Sequence, residues 1–177
     1  DAGCFDCDTS IRFSAWSQGS YQKILALEPD PVNLKRARDN AALHQVPRIE
    51  FLQAGLWNVT QDGCFGALGN DSSRIVESGG ERIQLLALDD VMAKDRLAFL
   101  KMDIEGAEWK ALEGAEHTLK RDQPLCAISA YHKPGDQIAL MQYLKCLVPE
   151  YRFALRHYTT LAIETVLYTF IPHSGIG

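Results

Sequence analysis

The stretch Leu97 to Met102 (LAFLKM) constrains this chain more than any other: it is a nearly continuous apolar run that stops at Asp103-Ile104-Glu105-Gly106. A short strand with apolar side chains on both faces belongs inside a parallel sheet covered by helices. The residues after it confirm the pattern. Ala107, Ala111, Leu112, Ala115 and Leu119 fall on one helical stripe, and Pro124 closes the segment. Lys23 to Leu27 (KILAL) is a second such run, ending at Glu28-Pro29; Asp30 then caps a helix with Pro31 as its first residue and Leu34, Ala37, Ala41 and Ala42 as its apolar face.

The same alternation continues along the chain. Ile49 to Gln53 reads as a strand running into Ala54-Gly55-Leu56-Trp57, and Leu125 to Ala130 as another. Asp136 to Leu147 reads as a helix with Ile138, Met141, Leu144 and Cys146 as packing residues. Tyr151 to Arg156 and Thr165 to Ile171 are close enough in sequence to pair as an antiparallel hairpin. Between residues 58 and 92 the chain turns polar and glycine-bearing before Arg82 to Leu88, which reads as an inserted hairpin. Strands alternating with helices predict an α/β fold: an open, mostly parallel, twisted sheet with right-handed crossovers. We expect one domain over residues 1–177. Such a domain needs an apolar strand running into Asp1, so the first strand is expected just before the sequence as given.

Charge and cysteine usage narrow the function. The formal charge of −5 argues against a nucleic-acid partner, which selects clustered Lys and Arg. Five cysteines, an odd number at irregular spacing, make a poor disulfide framework and predict a reducing, cytoplasmic setting. No apolar run is long enough to span a bilayer, so no membrane partner is expected. Self-association as a homo-oligomer stays open.

In open α/β sheets, ligands bind at the carboxyl ends of the strands near the switch in strand order. Asp1-Ala2-Gly3, Glu28, Ala54-Gly55 and Asp103-Ile104-Glu105-Gly106 are all strand ends, and they would line one crevice. Gly3 allows close backbone approach, and Glu28, 25 residues later, is placed to accept bonds from two ribose hydroxyls. A dinucleotide loop needs three glycines where this chain has only Gly3, which disfavours a pyrophosphate. S-adenosylmethionine carries adenosine without phosphate, and its two cationic centres suit an acidic crevice.

At these residues the chain resembles a family. Asp1-Ala2-Gly3-Cys4-Phe5-Asp6-Cys7-Asp8-Thr9, Leu27-Glu28-Pro29, Gly55-Leu56-Trp57, Leu88-Asp89-Asp90 and above all Lys101-Met102-Asp103-Ile104-Glu105-Gly106-Ala107-Glu108 are similar to the FkbM-type methyltransferases. The likeness continues through Leu112-Glu113-Gly114-Ala115, Tyr131-His132-Lys133 and Leu155-Arg156-His157-Tyr158 to Glu164-Thr165-Val166-Leu167-Tyr168. The resemblance implies a class I S-adenosylmethionine-dependent enzyme that methylates hydroxyl groups. It also implies that Asp1, Gly3, Cys4 and Phe5 hold the methionine end of the cofactor, with Asp8 and Thr9 behind them. Glu28 and Pro29 would hold the ribose, Gln53, Ala54 and Gly55 would border the adenine, and Asp103 would face cofactor and acceptor. The family usually has a second glycine where Cys7 stands, and we expect Cys7 to lie in the first helical turn, where a thiol can pack.

Methyl transfer to a hydroxyl needs alignment and a group to take the proton. His132 is the leading base, followed by Asp103 and Glu105; Glu105, Tyr131, His132 and His157 are expected on the acceptor side, with a small hydroxylated molecule as acceptor. Each has a blander role: His132 as a surface loop residue, Glu105 as a helix cap. Asp89 and Asp90 are expected to cap a short helix, with a divalent ion between the paired acids as the alternative, and Trp16, Trp57 and Trp109 to pack. Two rivals remain. One is a non-catalytic nucleoside-binding module; the other is a redox protein using Cys4 and Cys7, although Asp6 and Asp8 would raise those thiol pKa values. We assign no metal site, because the C-x-x-C lacks a second pair or a spaced histidine pair.

Overall fold

The structure, a computed structural model, describes residues 1–66, 74–76, 81–161 and 164–172. Its elements are α1 (Asp8–Trp16), β1 (Ile24–Leu27), α2 (Pro31–Leu43), β2 (Ile49–Leu52), β3 (Ala54–Trp57), β4 (Gln61–Gly66), β5 (Arg74–Val76) and β6 (Glu81–Ala87). They are followed by α3 (Leu88–Val91), β7 (Phe99–Met102), α4 (Glu108–Glu113), α5 (Glu116–Asp122), β8 (Leu125–Ser129), α6 (Asp136–Leu147), β9 (Arg152–His157) and β10 (Thr165–Phe170).

The strands form the mostly parallel sheet that the apolar runs predict. β1 pairs with β2 and β7 with β8, both in parallel. Ala2 joins the two halves, bridging Leu27 on one side and Met102 on the other in parallel register. β10 inserts antiparallel between β8 and β9, so the hairpin of the last two strands is observed. Within the expected 58–92 insertion, of which residues 67–73 and 77–80 lie outside the described residues, β4 pairs antiparallel with β5 on one side and with β6 on the other. β6 also pairs in parallel with β3. A second sheet results, and Ile49–Trp57 is therefore two strands in different sheets rather than one continuous run.

The core lies where helices cover the sheet. Leu100, Met102, Ile128, Leu112, Leu119, Leu140, Leu144 and Tyr151 are buried together. Burial of each large aliphatic side chain contributes roughly 1.5–3 kcal/mol. Several sequence expectations are corrected by this packing. On α2, Asn33 joins Leu34, Ala37 and Ala41 on the buried face while Ala42 is exposed. On α6 the buried pair is Leu140 and Leu144, one turn apart; Ile138 and Cys146 are exposed. Trp16 does not pack, being 81% exposed. Phe99, at the start of β7, is also partly exposed, so the run is doubly buried only at Leu100 and Met102.

The stripe from Ala107 to Leu119 is fully buried but belongs to two short helices. Gly114 explains the break, since a Cβ there would lie 2.1 Å from the Trp57 carbonyl oxygen. Helix α5 restarts against that contact, and its first backbone N–H groups are satisfied from outside. The Asp89 carboxylate accepts from Thr118 N (2.7 Å) and His117 N (3.0 Å). Asp89 and Asp90 thus sit inside α3, and Asp89 caps α5 instead of its own helix.

At the far end of α5, Asp122 accepts paired bonds from Arg121 (2.9 and 2.7 Å), a third from Leu97 N (2.9 Å), and stands 3.4 Å from Arg96. Arg121 above all, then the Leu97 N–H and Arg96, outweigh burial and hold the Asp122 carboxyl down at about 2. The folded pKa lies below the unfolded value, so this stabilisation is complete above about pH 4 and is lost as the pH falls towards 2. Urea denaturation should therefore show Asp122→Asn less stable than the parent at pH 6, with the gap closing between pH 4 and 2.

Candidate active site

The site is built at the switch between β1 and β7, where the chain turns at Gly3. Gly3 adopts φ +71°, and a Cβ on it would lie 1.8 Å from the Asp103 carbonyl oxygen. Both the conformation and the contact demand glycine. Lys101, the one charged residue in the LAFLKM run, fastens this loop to β7: its Nζ donates to the Gly3 carbonyl and lies 3.1 Å from Asp1 Oδ1. Asp1 Oδ2 also accepts from Ser10 Oγ at 2.6 Å. Burial pulls the Lys101 pKa below its ordinary value. Asp1 is thereby engaged inside the loop as a scaffold acid.

Cys7 corrects the sequence reading. It has φ 73° and ψ 14°, in the left-handed region immediately before α1, not in its first turn. The strain of a non-glycine residue there is about 1 kcal/mol or more. What offsets it is packing, because Cys7 is wholly buried against Cys4, Ala26, Ala37 and Ala41. The same burial disposes of the redox reading. Burial, then the Glu28 charge, pushes the Cys4 thiol up to about 12, and burial also raises Cys7. Reactive dithiols need the opposite shift and access to solvent.

Glu28 ends β1 at the wall of a crevice with Gly3, Ala54, Gly55, Asp103 and Glu105. Its Oε2 accepts from Phe5 N (2.9 Å) and its Oε1 from Asp30 N (3.1 Å). Burial raises its pKa against the pull of these two N–H donors. A carboxylate has about four acceptor directions, so each oxygen keeps one for a hydroxyl. Leu27, Pro29, Leu56 and Phe65 supply apolar walls. The crevice is narrow, about 60 Å³. A larger cavity of about 600 Å³ lies on the other side of Asp1, between β1 and β7.

Next to the crevice stands an acid–imidazole cluster. His132, just after β8, has its Nε2 3.5 Å from Asp103 Oδ1 and 3.6 Å from Glu105 Oε2, with Nδ1 2.9 Å from Glu108 Oε1. It is no surface loop residue, since its side chain is 8% exposed. Burial by itself would lower the His132 pKa, but Glu105 and Glu108 outweigh it and push it up to about 10. In this state His132 is an imidazolium, not a proton acceptor. The Tyr131 hydroxyl donates to Asp103 Oδ1 (3.4 Å), and its ring lies 4.1 Å from the His132 ring, centroid to centroid.

Other expected residues stand apart from the crevice. Gln53 and Asp8 are exposed, and Thr9 turns towards the larger cavity, because α1 carries both residues away from the strand ends. Asp8 pairs with Arg12. Cys4 is buried beneath the loop, and Phe5 is partly exposed at its tip. His157 is exposed two strands beyond β8, roughly 10 Å away at ordinary strand spacing, and bonds Thr165. Two residues that matter here had no role in the sequence reading. Lys101 was signalled by its charge inside an apolar strand. Glu108, 1% exposed and accepting from Ile104 N, was quoted within a motif, but only the fold shows that it faces His132.

The Methyltransferase FkbM domain profile matches residues 4–160. The chain belongs to the FkbM methyltransferase family. The structure of an FkbM methyltransferase from Methylobacillus flagellatus KT is similar at 27% identity with a TM-score of 0.81. The match covers 96% of this chain and 42% of that one, so this chain spans about two-fifths of its length. An rRNA methylase from Streptococcus thermophilus (15% identity, TM-score 0.57, 96% of this chain and 82% of that one) shares the fold. So does SMU.1697c from Streptococcus mutans in complex with SAH (12% identity, TM-score 0.55, 96% and 84%). No curated protein matches the sequence significantly. The fold is that of class I methyltransferases, whose cofactor is S-adenosylmethionine. Among the described residues, no helix is long and apolar enough to cross a membrane.

The left-handed backbone of this FkbM-family protein at Cys7 inverts the usual order of substitutions. Chemical denaturation should show Cys7→Gly more stable than Cys7→Ala by about 1 kcal/mol, since both lose the thiol but only alanine keeps the strain.

Proposed function

We propose that this protein is an S-adenosylmethionine-dependent O-methyltransferase acting on a hydroxyl of a small molecule or sugar. The observation that carries the reading is one crevice in which the glycine loop and Glu28 face the carboxylates of Asp103 and Glu105. The donor set suits the cofactor. The Gly3 backbone permits close approach, Glu28 has acceptor directions for two ribose hydroxyls, Pro29 adjoins it, and Ala54 and Gly55 leave room for a base. Asp1 supports this loop through Lys101 and Ser10. The acidic lining suits an ammonium and a sulfonium and disfavours phosphate. Admission of a nucleoside requires the narrow crevice to open, and Phe65 is the bulky side chain on the insertion side. Phe65 packs with Ile83 and Leu85 in a small cluster separate from the main core.

When bound, the cofactor supplies an electrophilic methyl group on a cationic sulfur. The chain's own residues then align the acceptor and receive its proton. Asp103 and Glu105 flank the crevice and remain the proton acceptors; His132, packed against Asp103, Glu105 and Glu108, positions them. Tyr131 borders the same side. Acceptor selectivity is assigned to the 58–92 insertion and to the loops after His132 and His157. Nucleic acid is a poor acceptor for so acidic a mouth.

Isothermal titration with S-adenosylhomocysteine should show binding to the folded protein, with Glu28→Ala weakening it at least tenfold. A folded protein that binds none would sink the reading. Asp103→Asn should lower the turnover of a hydroxylated acceptor by about 100-fold or more, a loss well beyond its effect on this affinity. Binding with no transfer to any acceptor would favour a non-catalytic module.

A further inference from the structure

Three ligating atoms, one each from Asp103, Glu105 and His132, lie within 4.8 Å of one another beside the crevice. The shortest separations, 3.5 and 3.6 Å from His132 Nε2 to the two carboxylates, are near the roughly 3 Å expected between neighbouring ligands around a cation bonded at about 2.1 Å. An acidic cluster alone says little, but here a second observation points at a ligand. The His132 side chain is more than nine-tenths buried and neither ring nitrogen has an in-line hydrogen-bond partner. Its Nε2 is aimed into the cluster.

Glu108 completes the pattern from behind. Its carboxylate is buried, anchored by Ile104 N, and lies 2.9 Å from His132 Nδ1. A small ring rotation would align that contact as a hydrogen bond, and a cation that displaces the Nε2 proton of the imidazolium would then meet the Nε2 lone pair beside the two carboxylates. A carboxylate on the outer nitrogen of a ligating histidine fixes its tautomer and raises its donor strength. The local charge also needs balancing. Three carboxylates face one imidazole, while the nearby ammonium groups are committed elsewhere, Lys101 to Gly3 and Asp1, Lys133 to the Gly106 carbonyl. Glu105 is held in this place at a cost, with φ 55° ahead of Gly106 at φ 89°. Strained non-glycine backbone of this kind collects at functional sites.

We propose that Asp103, Glu105 and His132 Nε2 form a three-ligand site for one divalent first-row cation, with Glu108 orienting the histidine. Two carboxylate oxygens and one imidazole nitrogen suit Mn²⁺ or Zn²⁺ better than soft or purely oxygen-seeking ions. Three open positions would remain for water or for hydroxyl oxygens. This deepens the methyltransferase reading and rests on it for the role of the ion. A cation here holds an acceptor by adjacent hydroxyls and acidifies the bound one. The acceptor class would then be a vicinal diol or a comparable chelating pair of oxygens. Each carboxylate keeps its second oxygen for the departing proton.

The test is a Mn²⁺ titration of chelator-treated protein followed by electron paramagnetic resonance, with S-adenosylhomocysteine affinity measured on the same samples. One Mn²⁺ per chain is expected, with nitrogen hyperfine coupling that disappears in His132→Ala. Asp103→Asn should weaken Mn²⁺ binding at least tenfold, and Glu108→Gln by about 10- to 100-fold. Glu105→Gln, on a half-exposed turn, decides the matter if the buried variants fail to fold by circular dichroism. The site is overturned if folded protein binds neither Mn²⁺ nor Zn²⁺, or if binding ignores these substitutions. Intact S-adenosylhomocysteine binding alongside that result refutes the metal site alone, whereas Mn²⁺ binding without nucleoside binding refutes the transferase reading.

Discussion

The site depends on Ala2 being held from both flanks. Its N–H donates to the Lys101 carbonyl, its carbonyl accepts from Asp103 N, and the next N–H, of Gly3, donates to Leu27. These bonds tie β1 and β7 together across one residue. They bring the Glu28 strand end and the Asp103 strand end into the same crevice although 75 positions separate them in sequence. The absence of a Cβ at Gly3 then lets the loop close onto the Asp103 carbonyl. A side chain there would push the two halves of the site apart.

Around that contact the chain accepts local strain. Phe5, Cys7 and Glu105 all have positive φ, at 49°, 73° and 55°, and all lie in the two loops that frame the crevice. Each is held by something rigid: Phe5 N by the Glu28 carboxylate, Cys7 by a buried cluster under α2, Glu105 by the turn before α4. At roughly 1 kcal/mol or more apiece, such strain is small against the burial of the core. Of the three, Glu105 carries a carboxylate on the crevice wall.

The alternation of strands and helices was legible because burial on both faces leaves an uninterrupted apolar signature that periodicity can register. What was not legible turned on contacts between distant segments. One periodic stripe became α4 and α5 because Gly114 meets the Trp57 carbonyl, and spacing alone carries no record of Trp57. Ile138 matched helical spacing as well as Leu140 did, yet the direction from which the sheet covers α6 decided which was buried. His132 was legible as a candidate but not in its role. Its charge state is set by Glu105 and Glu108, which lie 27 and 24 residues away.

The sequence by itself determined the fold class, the family and the chemistry of the strand ends, because those follow from local composition and short motifs. Only the tertiary structure decided that Cys7 is left-handed and buried instead of helical or redox-active, since a φ value is selected by the packing around it. Only it decided that Asp8 and Thr9 leave the crevice, that Lys101 fastens the glycine loop, and that Glu108 stands behind His132. Those are through-space relations, fixed when Ala2 closes the sheet between Leu27 and Met102.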